Sequence, residues 1–140
     1  MRTLNRTARD NAADLSVHAA TDVTGFSLLG HASEMAEASG CTIAIDGSAV
    51  PVHDGVHDLA MFGFPPEGRY TNEDYIAEKV AFSDSTGQTM KDILFSPETS
   101  GGLLLSMSPL DAEIYLERMK GSAWIIGKVL ERDGKPVHVF

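Results

Sequence analysis

The run Leu103-Leu104-Leu105-Ser106-Met107 constrains this chain more than any other segment. It is too short for an ordinary helix and too apolar for a surface strand, so it reads as a buried strand central to a sheet. The residues after it support that frame. Ser108-Pro109-Leu110-Asp111 places Ser at an N-cap, Pro at the first helical position and an acid at the third, which predicts a helix to about residue 120. Ala112, Tyr115, Leu116 and Met119 form its apolar stripe and Gly121 closes it. A second apolar run over residues 124–130 predicts another inner strand. After a turn at Arg132-Asp133-Gly134-Lys135, Val137-His138-Val139-Phe140 alternates like an edge strand.

The same alternation of strands and helices extends upstream. Residues 1–15 suit a helix that starts with almost no cap, as if the chain opened in mid-element, and residues 17–21 suit a short strand. Asp22-Val23-Thr24-Gly25 turns into a helix over residues 26–39, with Leu28, Ala32, Met35 and Ala36 on an apolar face and Ser27, His31 and Glu34 on a polar one. Gly40 stops it. Residues 42–46 read as a strand and residues 53–62 as a short helix, before a loop at Gly63-Phe64-Pro65-Pro66-Glu67-Gly68. Residues 75–82 fit helix or strand; residues 89–95 fit a helix ended by Ser96-Pro97, since the residue before proline avoids the α region. The pattern predicts an α/β (α+β) fold, a mixed β-sheet layered with helices, as one domain over residues 1–140.

Composition excludes several functions. With 140 residues, 43% of them apolar, the chain is long enough to build a core without disulfides or a structural metal. The 11 Lys and Arg against 20 Asp and Glu leave a net charge of −9, the wrong sign for a nucleic-acid binder. Cys41 is the single cysteine and has no zinc-ligand spacing around it, which fits a reducing compartment. No apolar run approaches the ~18–20 residues of a membrane span, and the start is not a signal peptide, so the expected address is cytoplasmic.

Two segments carry glycines where a ligand could approach. Thr21-Asp22-Val23-Thr24-Gly25-Phe26 lies between a strand and a helix N-terminus, where a carboxylate could hold Mg²⁺ against a phosphate; on spacing alone, a simple helix cap serves as well. Glu98-Thr99-Ser100-Gly101-Gly102 precedes the leucine run and reads either as a close backbone approach or as an ordinary turn. His31, on the polar helix face, is expected to be solvated or hydrogen-bonded. His53 and His57, with Asp54 and Asp58, lack the Glu of a metalloprotease helix and are expected at the surface. Cys41 is expected to be a small buried hydrophobe and no nucleophile.

Taken together, Thr21-Asp22-Val23-Thr24-Gly25-Phe26-Ser27-Leu28-Leu29-Gly30-His31 and Pro97-Glu98-Thr99-Ser100-Gly101-Gly102-Leu103-Leu104 resemble the selenophosphate synthetases (selenide, water dikinases). Pro51, the loop at Gly68, Asn72 and Ile125-Ile126-Gly127-Lys128-Val129 also fall in that family's order. The resemblance covers almost the whole chain and the C-terminal half of the family's protein. It implies the C-terminal fold of the aminoimidazole ribonucleotide synthetase superfamily and an enzyme that makes selenophosphate, AMP and phosphate from selenide, ATP and water. The family's catalytic Cys or selenocysteine, its Lys and most of its metal-binding Asp residues belong to the N-terminal half. The resemblance therefore assigns this chain no catalytic residue. It implies Asp22 as a ligand to the Mg²⁺ on ATP, with Thr24 and Gly25 near the phosphates, an N-terminal domain as partner, and room for a homodimer; without that domain the chain should be inactive. Ser27 stands where the family usually has Gly, and Ser96 and Glu98 where it has Asp and Gln. A standalone module for another phosphorylated ligand, or a structural domain of the same fold, is the alternative.

Overall fold

The computed structural model describes residues 3–140. The helix expected over residues 1–15 is α1, Arg6–Ala12; the first two residues of that range lie outside the described ones. The order continues with β1 (Val17–Asp22), α2 (Ser27–Ser39), β2 (Cys41–Ile45), α3 (Val56–Met61), α4 (Glu67–Ile76), β3 (Val80–Phe82), α5 (Gln88–Phe95), β4 (Leu103–Met107), α6 (Pro109–Met119), β5 (Gly127–Glu131) and β6 (Val137–Val139). Four strands form a mixed sheet in the order β3-β6-β2-β5, with β6 parallel to β2 and β3, and β5 antiparallel to β2. β1 and β4 form a separate antiparallel pair in which Asp22 faces Leu103. The α/β class is as expected.

Strand positions differ from the expectation. The terminal Val137-His138-Val139 is not an edge: it is paired on both sides, and the two valines are 0% and 1% exposed. A short strand between two parallel neighbours is buried on whichever face carries its apolar residues, and the neighbours come from distant parts of the chain. Conversely, the leucine run is not central. β4 is half-exposed along its length, with β1 as its partner among the described strands. The run over residues 124–130 yields only β5, an exposed edge strand that starts at Gly127, with Trp124 and Ile125 outside it and each 56% exposed.

The core lies between the four-stranded sheet and the helices. Leu29, Ala32 and Ala36 of α2 meet Ile43 and Ile45 of β2, Val137 and Val139 of β6, Ile76 of α4, and Leu94 and Phe95 of α5. Full burial of aliphatic and aromatic side chains of this size favours folding by roughly 1.5–3 kcal/mol each. Of the expected polar face of α2, Ser27 and His31 are buried at 0% and 8% exposed while Glu34 is exposed, and Ser33 is buried as well at 1%. α6 packs less deeply, with Tyr115 buried and Ala112, Leu116 and Met119 half-buried.

The loop expected over residues 63–68 is there as far as Pro66, and Glu67 and Gly68 open a helix that the sequence pattern does not predict. α4 starts after Pro66 and is held by Arg69, 4% exposed, whose guanidinium pairs with Glu73 at 2.5 Å and Asp92 at 2.7 Å and lies over the rings of Tyr70 and Phe95. The Asp92 bond ties α4 to α5. The ambiguous residues 75–82 resolve into the end of α4, one 3₁₀ turn and β3.

Candidate functional site

Asp22 ends β1 on the face that alternation leaves exposed. At the next residue the chain turns inward. Val23 is 5% exposed, donates its N–H to the Gly102 carbonyl at 3.0 Å and accepts the Gly101 N–H at 2.9 Å. Gly101 is required there: a Cβ at this position would meet Val23 Cγ1 at 2.8 Å and the Val23 carbonyl oxygen at 2.9 Å. The Glu98 N–H then donates to the Thr24 carbonyl at 3.1 Å. The two glycine-bearing segments thus form one cross-linked loop cluster.

Asn72, from the helix that the sequence pattern does not announce, closes the cluster. Its side-chain amide donates to the Gly25 carbonyl and to the Phe95 carbonyl, each at 3.0 Å, from a position only 6% exposed. One buried amide therefore fixes the start of α2 and the end of α5 together. Gly25 itself has open space where a Cβ would stand, and an ordinary φ. Its lack of a side chain leaves the outer surface of the turn bare.

The N-terminus of α2 carries strained backbone. Ser27 has φ +68, the left-handed region that disfavours residues with a Cβ, and its Oγ accepts only a long 3.4 Å bond from the Gly30 N–H. Glycine at this position would adopt such a φ without penalty.

Of the two forms expected for His31, the hydrogen-bonded one is found, and the side chain is buried. Its Nε2 lies 3.0 Å from Thr24 Oγ1 and its Nδ1 3.6 Å from Glu34 Oε2, with the Phe26 ring against it edge-on at 6.1 Å between centroids. Ser96 turns its hydroxyl to the Asp92 carbonyl at 2.7 Å and so caps α5. Desolvation raises the Glu98 carboxyl above its usual pKa, an effect partly offset by the nearby His53. His53 and His57 are exposed, as expected, and Cys41 is half-buried at the start of β2 against the core.

Among the described residues, no three or more His, Cys, Asp or Glu side chains are grouped to hold a metal ion. Two clefts, of about 310 Å³ beside Asp46 and about 550 Å³ between β5 and the β1–β4 pair, include none of Asp22, Thr24 and Gly25. The loop cluster offers the exposed carboxylates of Asp22 and Glu98, the Thr24 hydroxyl oriented by His31, and a bare glycine turn. That is a hard-oxygen donor set on one side only, and it suits Mg²⁺, which takes one or two carboxylates and fills its remaining positions with water and phosphate oxygens.

Residues 1–139 match the family described as AIR synthase related protein, C-terminal domain. The chain belongs to that family. It is 44% identical over 140 residues to the selenide, water dikinase of Clostridium botulinum (strain Eklund 17B / Type B), covering 98% of this chain and 41% of that protein. It is 40% identical over 143 residues to the selenide, water dikinase of Caldanaerobacter subterraneus subsp. tengcongensis, covering 99% and 41%. With selenide, water dikinase 2 of Peptoclostridium acidaminophilum the identity is 36% over 144 residues, covering 100% and 41%. The chain thus spans about two fifths of the length of the curated relatives it matches. No helix among the described residues is long and apolar enough to cross a membrane.

Proposed function

We propose that this chain is the C-terminal domain of a selenide, water dikinase and supplies one side of an ATP site whose other side comes from an N-terminal domain. The observation that carries this reading is the exposed Asp22 carboxylate beside the bare Gly25 turn, on a loop cluster stiffened by Val23, Gly101 and Asn72. When bound, Mg²⁺ would neutralise phosphate charge as the terminal phosphoryl group is transferred. Asp22 would be its ligand from this chain. Thr24 and Gly25 lie next to Asp22 and would border the phosphates, Gly25 because nothing projects from its outer surface. The reacting substrates are ATP, selenide and water, selenide taking up the transferred phosphoryl group; the family's catalytic Cys or selenocysteine and its Lys would come from the N-terminal domain.

A selenide-dependent AMP-release assay tests this on two proteins, the 140-residue chain alone and the chain joined to an N-terminal domain of a 40–44% identical relative. The expected result is turnover by the joined protein and none by the chain alone. A joined, folded protein that releases no AMP in response to selenide would overturn the reading.

A further inference from the structure

We propose that His31 is a positioning residue that spends the single proton of the Thr24 hydroxyl inward, so that Thr24 meets any ligand as a hydrogen-bond acceptor. The inference deepens the proposed function and rests on it for the identity of the ligand, although the hydrogen-bond polarity stands on this chain's own geometry. Nε2 of His31 is 3.0 Å from Thr24 Oγ1, inside hydrogen-bond range, and His31 is 8% exposed, so water does not compete strongly for that nitrogen. On the other side of the ring, the Glu34 carboxylate stands 3.6 Å from Nδ1. At that separation it is not hydrogen-bonded, but its negative charge favours the neutral tautomer with the proton on Nδ1, the ring nitrogen that faces it. Nε2 then carries a lone pair and must accept.

The Thr24 hydroxyl has one proton and two lone pairs. With the proton committed to Nε2, the oxygen offers lone pairs alone, and Thr24 is half-buried, with part of its surface open. An acceptor two residues along the chain from Asp22 suits a divalent cation or a water in its shell. It cannot donate to a phosphate oxygen, which is itself an acceptor, so a Thr24 that borders the phosphates would face the metal or its waters. His31 thus decides on which side of the metal–phosphate pair Thr24 works.

Nitrogen-15 NMR of histidine-labelled chain reads this directly, before any ligand is added. The expected spectrum has a protonated Nδ1 and an unprotonated, pyridine-type Nε2 at His31, with the Nε2 signal shifting in Thr24→Val, which keeps the side-chain shape and removes the donor. A protonated Nε2, or no response to Thr24→Val in a folded chain, overturns the proposal. In the joined enzyme, His31→Gln, whose carbonyl can accept at the place of Nε2, should keep the Mg²⁺ concentration for half-maximal rate within threefold, whereas His31→Leu should raise it tenfold or more. An unchanged Mg²⁺ requirement in His31→Leu overturns the proposal as well. If the joined enzyme is inactive whatever its residue 31, the reading as a selenide, water dikinase fails while the spectrum still decides the polarity of Thr24.

Discussion

The Gly101 N–H and the Val23 carbonyl are joined at 2.9 Å, and a methyl group at Gly101 would stand 2.9 Å from that same carbonyl oxygen. It would also meet the short, β-branched and buried Val23 side chain at 2.8 Å, and neither that side chain nor the backbone has room to yield. Gly101→Ala is therefore expected to destabilise the chain by about 1–3 kcal/mol, as overpacking of a tight contact does. Gly25→Ala, where nothing lies within 4 Å, should leave stability nearly unchanged. Urea denaturation of the two variants checks the contrast, and equal midpoints would refute it.

Ser27→Gly should stabilise. The native φ of +68 costs a residue with a Cβ about 1–2 kcal/mol, and the 3.4 Å bond lost with the hydroxyl is too long to offset it. A rise of about 1 kcal/mol in unfolding free energy is expected, reduced somewhat by the extra freedom of glycine in the unfolded chain. A lower thermal midpoint for Ser27→Gly would contradict the strain argument.

Asn72→Ala removes both hydrogen bonds that tie the Gly25 turn to the end of α5. It leaves two carbonyl groups without this partner, a loss of about 1–3 kcal/mol. In the joined enzyme the rate should fall, and at least as far with Asn72→Asp, which keeps the volume but turns a buried carboxylate acceptor toward the two carbonyl oxygens. Hydrogen exchange at Gly25 and Phe26 measures the loosening independently of activity.

Asp22→Asn should leave the fold intact, since the carboxylate is exposed at the end of a strand and no hydrogen bond within the described residues depends on it. In the joined enzyme it should lower the rate severely by removing a ligand for the metal. Calorimetry on the 140-residue chain alone should find weak or undetectable binding of Mg²⁺ and ATP. Tight binding by the chain alone would contradict a site divided between two domains.

The Asp14–Arg118 pair clamps the end of α1 to α6, with a second bond from Arg118 to the Asn11 carbonyl at 2.8 Å. The Arg118 hydrogen bond is the largest cause holding the Asp14 carboxyl below its ordinary 3.8. A depressed carboxylate contributes stability above its unfolded-state value and loses it as pH falls through the lowered one. Asp14→Asn should thus be less stable than the parent chain at neutral pH, by a small margin because both groups are solvent-screened, and equally stable once Asp14 is protonated. Thermal midpoints of both proteins across that pH range test the sign.

The capping signature at Ser108 was legible locally: its Oγ accepts the Asp111 N–H at 3.1 Å, in the helix that the sequence predicts. So was the strand–turn–helix around Asp22, because strand periodicity, turn residues and helix periodicity are each set within a few residues. Strand order was not. Leu103–Met107 is more apolar than Val137–Val139, yet β6 lies inside the sheet and β4 outside it, because position in a sheet depends on which distant strands supply hydrogen bonds and which helices cover the face. The same holds at the site. Asp22, Thr24 and Gly25 stand together in the sequence, but the burial of His31, the reach of Asn72 to Gly25 and the meeting of Val23 with Gly101 arise only when separate elements pack, since each is a contact between residues that local periodicity does not relate. Residue types and their spacing determined the elements and the chemistry on offer; tertiary packing decided which of those groups are desolvated, oriented and brought within bonding distance, because those are properties of neighbours.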